Sequence, residues 1–141
     1  MQRSANAVWT GNLKQGKGTI STQSGALTNA QYGVNTRFED GAGTNPEELI
    51  AAAHAGCFSM ALSLALTEAG LTVDTIKTTA KITLEKQESG FTITASYLEL
   101  TAKVPGAQES QFLEIANKAK EGCPVSKLLK AEISLDAKLE A

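Results

Sequence analysis

The chain reads as an α+β fold in the order β-β-β-α-β-β-α-β, antiparallel sheets around one long buried central helix. Three observations predict it. From Leu49 to Leu66 no Lys, Arg, Asp or Glu interrupts an apolar run, and a helix apolar on every side must be covered on every side. Positions 76 to 84 and 91 to 97 alternate apolar or small residues with polar ones at a period of two, the signature of half-buried strands. Before the apolar run, glycines at 11, 16, 18, 25 and 33 punctuate short β-forming segments.

Taken in order, NAVWTGNL, GKGTIST and AQYGVNTRF between Ala5 and Phe38 read as a small meander. Neither Gly16-Lys17-Gly18 nor Gly41-Ala42-Gly43 has the spacing of a phosphate loop, and the second leads into Glu47 and Glu48, which repel anions. The long helix opens with Asn45 as N-cap, Pro46 at its first position and Glu48 at its third, a capping-box arrangement, and closes at Gly70. Between those signals lie about 36 Å of helix, enough to cross a compact domain. The run also reaches the lower limit for a membrane span, but its alanines, His54, Gly56, Ser59 and Ser63 and its acidic, anchor-free flanks favour a buried helix and no membrane role.

Ile76, Thr78, Ala80, Ile82 and Leu84 alternate with polar neighbours, Gln87 to Gly90 makes a turn, and Phe91, Ile93, Ala95 and Tyr97 resume on a strand that runs to about Val104 before Pro105-Gly106. This predicts a long antiparallel hairpin. A second helix spans about Glu109 to Lys120, with Phe112, Ile115, Ala116 and Ala119 on one stripe and Gly122 as its left-handed terminator. A short helix starts at Pro124 with Cys123 at its N-cap, and alternation from Ile133 to Leu139 predicts a last strand. One sheet covers one side of the central helix, so the pattern leans towards a homodimer.

At 141 residues the chain predicts a single domain, 1–141. A net charge of −2 with scattered basic residues argues against nucleic acid as a partner. No apolar run of secretory length opens the sequence, so the expected compartment is cytoplasmic. In a reducing cytosol Cys57 and Cys123 are not a permanent bridge; they are either buried small side chains or a working redox pair.

A thiol in mid-helix gains nothing from the helix dipole, and burial raises its pKa, so Cys57 alone is inert. It needs a neighbouring cation to become a thiolate, and the candidates are His54, on the same helical face, and Arg37, in the loop before the helix. His54 is otherwise a packed core side chain with a satisfied ring nitrogen, or a metal ligand together with Cys57 and Cys123; zinc takes three or four ligands, and these three leave no obvious further partner with ligand spacing.

NTRFE at 35–39, TNPEELIAAAHAGCFSMAL at 44–62 and EGCPVSKLLKAEI at 121–133 together resemble the OsmC/Ohr family, the osmotically inducible and organic-hydroperoxide-resistance proteins, and its OsmC branch in particular. The resemblance implies an OsmC-like fold and a thiol peroxidase without metal, haem or other cofactor, built as an intertwined homodimer with active sites at the subunit interface. It makes Cys57 the peroxidatic thiol, Cys123 the resolving thiol, Arg37 the cation against the Cys57 sulfur and Glu47 the holder of Arg37. The external reductant it implies is a dithiol, with a lipoyl group as the candidate. Glu47 and Cys57 lie about 15 Å apart along one helix, so the economical arrangement has Arg37 and Glu47 of one subunit serving Cys57 of the other. Leu49, Ile50, Phe58 and Met60 are the apolar candidates for a pocket that favours organic hydroperoxides over hydrogen peroxide. Two other readings of the same residues are a dimer that binds a small apolar ligand and a His/Cys metal site.

Overall fold

The computed structural model describes residues 1–39 and 41–140. The chain divides into two compact units, Met1–Leu49 and Ile50–Ala141. In the first, β1 (Ala5–Thr10), β2 (Lys17–Thr22) and β3 (Ala30–Tyr32) form an antiparallel sheet in sequence order. Trp9 and Tyr32 face each other across it, ring centroids 5.6 Å apart and tilted by 59°. Gly18 lies beneath that pair, where any Cβ would collide with both rings.

The segment expected to be strand and loop up to Phe38 is instead a short helix, α1 (Val34–Phe38), so Arg37 is helical and not in a loop. Thr36 explains the change: its hydroxyl accepts from the Gly33 N–H at 2.7 Å and donates to the Gly33 carbonyl at 2.9 Å, closing the turn that β-branched side chains would otherwise disfavour.

Helix α2 (Pro46–Glu68) starts and stops where the sequence places it. The Asn45 side chain accepts from the Glu48 N–H at 2.7 Å, while the Glu48 carboxylate accepts from Thr44 Oγ1 at 2.8 Å instead of reaching back to the cap amide. At the other end Gly70 takes φ +81°, and the bonds Leu71 N–H to Leu66 O and Gly70 N–H to Thr67 O, both 3.0 Å, make a Schellman closure.

In the second unit β4 (Thr75–Gln87) and β5 (Gly90–Lys103) form the expected hairpin, with a register shift between Thr83 and Leu84. Helices α3 (Glu109–Gly122) and α4 (Pro124–Leu128) follow, and β6 (Glu132–Glu140) completes the sheet in the order β4-β5-β6. The expectation of antiparallel strands throughout fails here, since β6 runs parallel to β5 from Ala95↔Glu132 to Lys103↔Glu140. A parallel return needs a long crossover, and α3 with α4 supplies one. Gly122 is not a left-handed terminator either. It is the last residue of α3, and Cys123 serves both as C-cap of α3 and as N-cap of α4.

The core belongs to this unit. Phe58, Leu62 and Leu66 of α2 join Leu98, Leu100 and Ala102 of β5 and Phe112, Ala116 and Ala119 of α3 around Cys123. His54, Phe58, Leu62 and Leu66 recur every fourth residue, so one stripe of α2 is covered. The expectation of burial on every side is not met within one chain: Met60 is 76% exposed and Leu64 62%. By length and composition α2 could cross a membrane, and its most apolar window is 22% buried.

Candidate active site

The sequence-predicted residues come together as two pairs. In the first unit Arg37 Nε donates to Glu47 Oε1 at 2.6 Å. The Glu47 side chain is 11% exposed against 40% for Arg37, so the carboxylate is the fixed partner and the guanidinium the reachable one. Glu47 Oε2 is buried and has no hydrogen-bond partner among the described residues. The guanidinium carbon also lies 5.7 Å from the centre of the Phe38 ring. A guanidinium held through Nε can still offer the terminal nitrogens of its fork to an anion.

The second pair is Cys57 and Cys123, both free thiols, the latter fully buried. Burial pushes the Cys57 thiol up; the Val125 N–H works against this, and the neighbouring Cys123 adds to it. Burial also works to raise Cys123, yet its net direction is down, because the Ser126 N–H, the Cys57 thiol, the Ser126 hydroxyl and the Val125 N–H all favour its thiolate. Within this pair Cys123 is therefore the more acidic sulfur and Cys57 the less acidic one. A mid-helix thiol left to itself is dormant, as the sequence argument required.

His54 is where sequence reasoning saw least. The ring is fully buried, with Nδ1 2.6 Å from Ser96 Oγ and Nε2 2.7 Å from Ser126 Oγ. Both nitrogens are thus engaged, one more than expected of a packed histidine, and desolvation holds the pKa below the ordinary 6.5. A ring so occupied has no lone pair for a metal, and among the described residues no group of three or more His, Cys, Asp or Glu could hold one. Ser96 and Ser126 lie 42 and 72 positions from His54, and no local signal in the sequence marks them. Phe58, a candidate pocket residue, is plain core at 0% exposure. A cleft of about 450 Å³ in the first unit is lined by Lys14, Lys17, Gln31 and Tyr32 among others and holds none of the four predicted residues.

Comparison with known proteins places these residues in a family. A protein-family model described as OsmC-like protein matches residues 39–138. Peroxiredoxin OsmC of Escherichia coli (strain K12) is 55% identical over 141 residues, covering 100% of this chain and 99% of that protein. Organic hydroperoxide resistance protein OhrB of Bacillus subtilis (strain 168) is 34% identical over 125 residues, 87% of this chain and 88% of that one. The crystal structure of OhrB superimposes with a TM-score of 0.69 at 28% identity, covering 97% of this chain and 98% of that one. An OsmC-like protein of unknown function from Vibrio cholerae shares the fold with a TM-score of 0.77 at 16% identity, over 97% of this chain and 99% of that one. With a family model spanning most of its length and a full-length relative at this identity, the chain belongs to the OsmC-like family.

Proposed function

We propose that this chain is a cysteine-based peroxidase that reduces organic hydroperoxides to alcohols, and hydrogen peroxide less well. The observation that carries the reading is the meeting of Cys57 and Cys123, distant in sequence, at the first turn of α4. The full-length relative named a peroxiredoxin and the relatives named for organic hydroperoxide resistance supply the reaction class.

In this cycle the Cys57 thiolate attacks the terminal peroxide oxygen. The O–O bond breaks, the alkoxide leaves as alcohol after taking a proton, and Cys57 becomes a sulfenic acid. Cys123 attacks that sulfur to close a disulfide, and an external dithiol, a lipoyl group in our reading, reduces it. No cofactor takes part. Because burial and Cys123 both push the Cys57 pKa up, the first step needs a cation, and Arg37, oriented by Glu47, is that group. The spacing of Glu47 and Cys57 along α2 and the bare stripe at Met60 and Leu64 support an intertwined homodimer, each site taking Arg37 and Glu47 from one subunit and the two cysteines from the other. We take residues 1–141 as one OsmC-like domain acting in the cytoplasm on small hydroperoxides, without nucleic-acid or membrane partners.

The test is to add cumene or tert-butyl hydroperoxide to reduced protein and count free thiols over seconds. Loss of both thiols in the parent, no consumption with Cys57→Ser, and one turnover ending in a trapped sulfenic acid with Cys123→Ser are expected. Persistence of both thiols in the parent removes the reading.

A further inference from the structure

The disulfide-closing step, on the reading just given, needs Cys123 as a thiolate at the moment the Cys57 sulfenic acid forms. The Cys123 sulfur becomes oxidised and the Cys57 sulfur reduced as the S–S bond forms. The S–O bond breaks, and the departing hydroxide takes a proton to leave as water. A donor that holds the Cys123 anion speeds this step, and Ser126 has a hydroxyl there.

A serine hydroxyl carries one proton, and Ser126 has two neighbours for it: His54 Nε2 at 2.7 Å and the Cys123 sulfur. Which one receives the proton depends on the histidine. If Nδ1 carries the ring proton, it donates to Ser96, Nε2 is an acceptor, and Ser126 spends its proton on the ring. If Nε2 carries it, the ring donates to Ser126, Ser96 Oγ donates to Nδ1, and the Ser126 proton is free for sulfur. The ring is fully buried and uncharged, so these two tautomers are the choices. The four groups form a chain from β5 through α2 to α4, Ser96 to His54 to Ser126 to Cys123, whose hydrogen bonds can run in either direction according to the tautomer.

We propose that His54 is a positioning residue for disulfide closure: donating from Nε2 and steadied by Ser96, it turns the Ser126 hydroxyl onto the Cys123 sulfur. It touches neither peroxide nor the reacting sulfurs. Its contribution belongs to the second oxidation step and leaves the first untouched.

The two steps separate in a rapid-mixing experiment with tert-butyl hydroperoxide, in which a dimedone-type reagent traps sulfenic acid and mass spectrometry follows the disulfide. In His54→Leu sulfenic acid is expected at the parent rate and the disulfide about ten-fold more slowly, the low end for losing the hydrogen bond from Ser126 to the Cys123 anion that the ring orients. Sulfinic acid accumulates in parallel. His54→Gln, which keeps a donor towards Ser126, restores closure, whereas His54→Asn, which reaches only towards Ser96, does not; a purely packing role would not rank the two amides this way. Ser126→Ala, which removes a single oxygen atom, slows closure by the same factor, and combining it with His54→Leu adds nothing further. Closure at the parent rate in Ser126→Ala, or equal loss in the Gln and Asn variants, overturns the proposal. Failure of the peroxidase reading is a different result, in which the parent itself forms neither sulfenic acid nor disulfide.

Discussion

The two units of this chain solve opposite problems. Ile50–Ala141 builds its own apolar core, and every buried hydrophobic side chain among the described residues lies in it, from Phe58 to Cys123. Met1–Leu49 contributes none; its buried side chains are polar, Thr36, Thr44 and Glu47, and it leaves Val8, Leu13 and Phe38 exposed. One unit is held by burial, the other by hydrogen bonds and turns. The candidate chemistry divides along the same line, with sulfur in the apolar unit, where burial pushes the Cys57 thiol up, and the guanidinium at an exposed position of the polar unit. A part-buried thiol and an exposed cation are each easy to maintain alone, and on the function proposed above reactivity waits on bringing them together.

The contrast is broken most severely by Phe58→Ala, which removes a fully buried ring and is expected to cost about 3–5 kcal/mol of stability, measured by denaturant unfolding. Next comes Arg37→Met. If the polar unit supplies the activating charge, oxidation of Cys57 by tert-butyl hydroperoxide slows by about ten- to a hundred-fold, following a loss of one to two pKa units of thiolate stabilisation, while the unfolding midpoint stays put. Glu47→Gln, which leaves Arg37 attached but loosely held, is expected to give a smaller loss in the same stopped-flow assay.

Acid titration sharpens the comparison further. The folded pKa of His54 lies below its ordinary 6.5, so at falling pH the unfolded chain takes up a proton that the folded one refuses. The contribution of the neutral ring is fully present above 6.5 and declines as pH drops from there towards the folded pKa, with a slope of at most about 1.4 kcal/mol per pH unit. Unfolding curves of the parent should show that decline, and those of His54→Gln should lack it. Least of all, Leu13→Ser on the polar unit is expected to shift stability by under about 0.5 kcal/mol.

How much of this was legible in the sequence follows from the range of each interaction. The hairpin of β4 and β5 is written in alternation, and both ends of α2 in Asn45, Pro46 and Gly70, because caps and pleats act over a few residues. Helix α1 was hidden because VNTRF has poor helical propensity, and the Thr36 hydroxyl decides the matter only once the turn exists. The direction of β6 depends on how the α3–α4 crossover returns to the sheet, which alternation within β6 cannot encode. Cys57, Cys123 and Arg37 stood out from the chemistry a mid-helix thiol needs, whereas Glu47 and the separate roles of the four came from resemblance of whole motifs. Ser96 and Ser126 were invisible, since a serine becomes informative only when a fold sets it against a buried ring.

One detail of the second unit turns into a ready-made gauge. Cys123 ends one helix and begins the next, its amide donating to the Ala119 carbonyl at 2.9 Å and its carbonyl accepting from Lys127 at 3.1 Å. Any torsion that an S–S bond imposes on this side chain is handed to a hydrogen bond on either flank. The Cys123 and Lys127 amide resonances in an NMR spectrum would then keep time with each turnover, with no dye attached and no sulfur modified.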